Sequence, residues 1–79
     1  MQAYQITRQR FTKQDAEALI GRSVRALVDI SCVASGTRGR VVSAEEVGNG
    51  YDVAVEWESG YFAMEWFSQD QFDRYLTEA

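Results

Sequence analysis

The sequence predicts a mainly β domain: a small barrel or strongly bent sheet of four to five strands, with a short helix at each end. Three observations carry this. Apolar residues fall at every second position in residues 24–30 and again in 51–57. Turn signals separate the β-prone runs, the strongest being Asn49-Gly50. Two stretches with helical spacing, near 13–20 and 68–77, start at a residue suited to capping a helix, Thr12 just before the first and Ser68 at the head of the second. With 79 residues the chain has room for a single domain, 1–79, divided into a helical addition (12–20), a barrel (21–67) and a terminal helix (68–77).

Residues 3–7, "AYQIT", suit a short strand or arm with Tyr4 and Ile6 on one side. In "FTKQDAEALIG", Thr12 is a good N-cap and Asp15 stands three residues later. Phe11 precedes the cap and Ala16 follows it as a weak hydrophobic staple. Ala16, Leu19 and Ile20 recur at helical spacing, and Gly21 is a natural terminator. The next stretch alternates: Val24, Ala26, Val28 and Ile30 share one face, with Arg25, Leu27 and Asp29 on the other. Residues 31–38 read as loop and 39–47, "GRVVSAEEV", as a second β-prone run.

After the Asn-Gly turn, Tyr51, Val53, Val55 and Trp57 alternate with Asp52, Ala54, Glu56 and Glu58, the clearest strand in the chain. "YFAMEWF", 61–67, forms a last aromatic strand. Ser68 and Gln71 then make an S-x-x-Q capping box, and Phe72, Tyr75 and Leu76 line one helical stripe.

The segment "SGTRGRVV", 35–42, raises the question of an anion-binding loop. A Walker-type loop needs G-x-x-x-x-G-K-[ST] before a helix. Here the spacing is G-x-x-G, no lysine follows, and a strand comes next. Gly36 and Gly39 are therefore expected to serve a strand-to-strand turn, by positive φ or close backbone approach. Arg38 and Arg40 remain candidates for contact with an anion or a neighbouring carboxylate.

With these residues in view, "GRSVRALVDI…VASGTRGRVVSAEEVGNGYDVAVEW…WFSQDQFDRYL" resembles small SH3-like barrel proteins of unknown function, such as those encoded on integron mobile gene cassettes. The likeness runs over about residues 21–77 and lies in glycine turns and core alternation. It implies an SH3-like barrel and no particular activity. Type II plasmid-borne dihydrofolate reductases are similar in length and fold, but their V-Q-I-Y segment is absent; the comparable strand here reads "FAMEW".

Composition narrows the function. The chain has no histidine, so a histidine base is excluded, and Cys32 is alone, so it forms no internal disulfide and no tetrahedral zinc site. No cofactor is expected. No apolar run approaches the ~20 residues of a membrane span, the N-terminus lacks a secretory h-region, and a cytoplasmic setting is expected. The net charge of −4 opposes non-specific nucleic-acid binding, yet it is unevenly spread. Residues 1–42 carry seven basic groups and three acidic ones; residues 43–79 carry one and nine. That polarity suits self-docking or a partner of opposite charge.

Ten aromatic residues are many for one small interior. Tyr61, Phe62, Met64, Trp66 and Phe67 lie on one strand and must point to both of its faces. Some of them need cover from a terminal helix, a second subunit or a ligand. The expectation is a non-enzymatic interaction module that self-associates and takes a protein or peptide partner. One alternative is nucleic-acid binding through Arg8, Arg10, Lys13, Arg22, Arg25, Arg38 and Arg40. A remoter one is a ligand or enzymatic site at a subunit junction, as in the type II reductases.

Overall fold

The computed structural model describes residues 10–30, 33–58 and 64–79. Within them, helices α1 (Lys13–Leu19) and α2 (Gln69–Tyr75) accompany a five-stranded antiparallel sheet. The strands are β1 (Ser23–Ala26), β2 (Arg38–Val47), β3 (Gly50–Trp57), β4 (Met64–Phe67) and β5 (Leu76–Glu78), in spatial order β4-β3-β2-β1-β5. β4 and β5 are the two edges, and no pairing joins them among the described residues. The arm expected over 3–7 and the thiol of Cys32 lie outside the described residues.

α1 begins where the sequence places it. Thr12 holds extended backbone and its Oγ1 accepts from the Asp15 N–H at 3.1 Å, which satisfies one of the helix's free donors. Ala16 is fully buried and Phe11 nearly so, and both belong to the core.

β1 is shorter than its alternation suggests. It stops at Ala26, and Leu27 and Val28 are exposed. The Leu27 N–H still bonds in register with the far strand, to the Tyr75 carbonyl, but beyond it local bonds compete with the ladder. The Ser35 N–H donates to the Asp29 carboxylate at 2.9 Å and the Ser35 hydroxyl to the Leu27 carbonyl. Asp29 thus ties the loop across itself, a local bonding pattern that draws backbone away from a ladder.

β2 and β3 form the longest ladder, from Gly39↔Trp57 to Val47↔Gly50. The turn is Gly48-Asn49, one residue earlier than the expected Asn49-Gly50. Gly50 instead enters the strand beneath Arg10, where an added Cβ would come within 2.6 Å of the arginine Cβ. The Tyr51 N–H donates to the Phe11 carbonyl, fastening this end of the hairpin to the segment before α1. A bulge falls between Val41 and Ser43, because Val41 pairs with Val55 but Ser43 with Ala54. Such a bulge bends and twists the strand that carries it.

α2 carries the full capping box: Ser68 Oγ accepts from the Gln71 N–H, and Gln71 Oε1 accepts from the Ser68 N–H. The helix was expected to reach residue 77 but ends at Tyr75. Leu76 is extended (φ −125°, ψ 158°) and opens β5, which pairs antiparallel with β1 in the register Ala26↔Leu76 to Val24↔Glu78. The outer edge of β1 offers backbone partners that another helical turn would leave unused. Leu76 is buried in the observed arrangement.

The core lies between one face of the sheet and the two helices. Val24, Val41, Val53 and Val55 are its fully buried centre, joined by Ala16 of α1 and Phe72 of α2. Two edge-to-face ring pairs complete it, Phe11–Phe72 at 5.6 Å and Trp57–Phe67 at 6.3 Å. The Trp57 indole N–H finds its partner in Glu65 Oε1 at 3.1 Å, so the ring is buried without an orphaned donor.

Candidate functional site

Register assigns every strand residue to a face. Glu65 and Phe67 stand opposite Val55 and Val53 and point inward; Met64 and Trp66 stand opposite Glu56 and Ala54 and point outward. Phe67 is 4% exposed and packs on Trp57, so it leaves the candidate surface and joins the core. Trp66 is 40% exposed and Met64 53%. Tyr61 and Phe62 lie outside the described residues.

On the outer face, Ala54 is fully buried yet stands outside the core cluster. Its register neighbours, Ser43 and Trp66, flank it on either side. The bulge adds Val42 to this face, 36% exposed, beside Ser43. An apolar strip of Val42, Ala54, Trp66 and Met64 therefore crosses β2, β3 and β4. Large apolar groups gathered on the face away from the core are the kind of patch that marks interaction sites.

Charge borders this strip. Arg38 and Arg40 are exposed on β2, separated by the buried Gly39. Arg40 stands opposite Glu56, and Arg38 accepts a backbone hydrogen bond from the Glu58 N–H at 2.9 Å. On its other side Arg38 stands opposite Arg25 of β1. The single ion pair among the described residues is elsewhere, Arg22 to Glu78 at 3.0 Å. At the far end of the ladder, Glu45 and Asp52 stand opposite each other.

The glycines of the G-x-x-G segment divide the two roles expected of them. Gly36 takes φ +92° in the turn before β2, a conformation that side chains resist. At Gly39 a Cβ would lie 2.8 Å from the Trp57 and Val55 side chains and 2.9 Å from the Glu56 carbonyl. The segment passes from turn to strand, so no helix N-terminus gathers donors for an anion there.

Two shallow grooves lie away from the strip. One, of about 310 Å³, runs between α1 and α2 over Phe11, Leu19 and Phe72, with the Arg22–Glu78 pair on its lining. The other, about 250 Å³, is bounded by Val28, Asp29, Ile30 and Tyr75. Neither lining holds a nucleophile beside a base. Among the described residues no three His, Cys, Asp or Glu side chains are grouped to hold a metal ion, and no helix is long and apolar enough to cross a membrane.

Compared with protein-family models, with curated proteins and with solved structures, the chain finds no match.

Sequence reasoning located the surplus aromatic strand but not Val42 or Ala54. One signal for Val42 was present. Val41 and Ala44 both pack toward the core at an odd spacing, which an uninterrupted strand does not allow, so an extra residue must intervene.

Proposed function

We propose that this protein is a non-enzymatic SH3-like binding module, akin to the small barrels of integron cassettes, that self-associates through the outer face of β3 and β4. The observation that carries the reading is the pair Trp66 and Met64, exposed side by side and continuous with Ala54 and Val42. An indole and a thioether are strongly favoured at protein interfaces. The barrel itself is supported by the link between the edges. A flat five-stranded sheet holds its edge strands ~19 Å apart, whereas the seven-residue α2 that joins β4 to β5 is only ~10 Å long. A curled sheet relieves that mismatch, and the β2 bulge supplies the bend.

Nucleic-acid binding draws on the cluster of Arg25, Arg38 and Arg40, but Glu56 and Glu58 on the adjoining strand repel a phosphate backbone from the same face.

Size-exclusion chromatography with light scattering tests the reading. The native chain is expected to exceed monomer mass as its concentration rises into the high micromolar range, and the Trp66→Ala variant to stay monomeric. A native chain that remains monomeric throughout overturns it.

A further inference from the structure

Resting on that reading, we infer that the occupant of the outer face is a second copy of this chain, related by a two-fold axis that runs along the strands between β2 and β3. The charges argue for it. At one end of the ladder the outward positions of β2 are basic, Arg38 and Arg40, and those adjoining them are acidic, Glu56 on β3 and Glu58 just past its end. No ion pair joins these two sets within the chain, although Arg40 and Glu56 are register partners.

Rotation about such an axis lays β2 of each copy over β3 of the other, row on row. Arg40 then meets the other copy's Glu56, and Arg38 its Glu58. The two-fold repeats both contacts, giving a self-complementary interface of the closed type. In the next row Ser43 comes to rest on Ala54, with the bulge residue Val42 beside it, and the apolar strip becomes the centre of the contact. β4 lies alongside β1: Met64, in the row of Glu56, Arg40 and Ser23, comes over Ser23, and Trp66 over the Gly21–Arg22 segment that leads into β1, so both gain cover they lack in a lone subunit. Facing sheets keep their strands within about 30° of each other and ~10 Å apart, a gap that arginine and glutamate side chains bridge.

One contact opposes the arrangement. Glu45 comes over Asp52 at the far end, where the twist of the sheets opens the gap. The overlapping strands cover ~400 Å² per copy by strand spacing and rise, which is small for a specific interface and makes the dimer weak and reversible.

A charge exchange tests the geometry. Variant one carries Arg38→Glu and Arg40→Glu; variant two carries Glu56→Arg and Glu58→Arg. All four positions are exposed, and far-UV circular dichroism checks that each variant is folded. Each alone is expected to lose the dimer in sedimentation velocity. Their equimolar mixture is expected to regain it as a heterodimer, because both sets of contacts are then opposite in sign. Glu45→Gln in the native background is expected to tighten the dimer. If Trp66→Ala abolishes association but the mixture stays monomeric, the outer face is an interface of another geometry and this arrangement is overturned. If variant one dimerises as well as the native chain, the arginines play no part and the arrangement is likewise overturned. A native monomer removes the self-association reading as well.

Discussion

Trp66 and Phe67 are consecutive residues on the same four-residue strand, and they meet opposite fates. Phe67 is sealed against Trp57 in the core; Trp66 lies half open on the other side of the sheet, beside Ala54. Both rings are large and apolar, and the indole N–H of Trp66 does not by itself decide which of them is buried, since Trp57 is buried with its N–H bonded to Glu65. What separates them is strand parity: Phe67 falls opposite Val53 and Trp66 opposite Ala54. One face of β4 is needed to hold the subunit together, and the other is released from that duty.

The comparison can be broken at its core side first. Phe67→Ala removes a buried ring and one partner of an edge-to-face pair, and is expected to destabilise by about 3–5 kcal/mol. Trp66→Ala, measured at a concentration where the protein is monomeric, removes a ring that is 40% exposed and is expected to cost less, about 1–2 kcal/mol. Urea unfolding of both variants checks this, and equal losses would mean that the two faces of β4 are not distinct.

A smaller effect is expected at Gly39, which lets Trp57 and Val55 close over the strand. Gly39→Ala forces side chains against a crowded backbone and is expected to cost about 1–3 kcal/mol, with a blue or red shift of tryptophan emission as Trp57 is displaced. Smaller again is Ser68→Ala, which deletes one of the two capping bonds of α2. It is expected to cost about 1 kcal/mol, seen as a lower midpoint in thermal melts with no change in association.

What the sequence disclosed and what it concealed divide along a physical line. Features made by neighbours in the chain were readable: the Thr12 and Ser68 caps, the parity of β3, the glycine-rich turn between β2 and β3. Features made by distant partners were not. β5 is three residues long, "LTE", and owes its conformation to the free edge of β1. Its apolar residue, Leu76, fits a helical stripe equally well, so periodicity pointed to the helix. β1 was read too long because Leu27 and Val28 keep the alternation while the carboxylate of Asp29 has already turned the chain.

At the surface, the aromatic surplus of 61–67 was legible as a count, but which rings turn outward depends on register with β3. The arginines of β2 and the glutamates of β3 each show in the sequence as alternate residues. That they adjoin on one face follows only once Arg40 is known to stand opposite Glu56.

The pairing of β1 with β5 also sets an order of events during folding. The β2–β3 hairpin is built from residues close in the chain and can form first. β1 can zip to β2 soon afterwards, but its other edge stays bare until Leu76–Glu78 docks against it. Closing so long a loop is slow relative to hairpin formation. For that interval the partly folded chain presents an unpaired strand edge, the moment when another copy is most able to take the wrong partner.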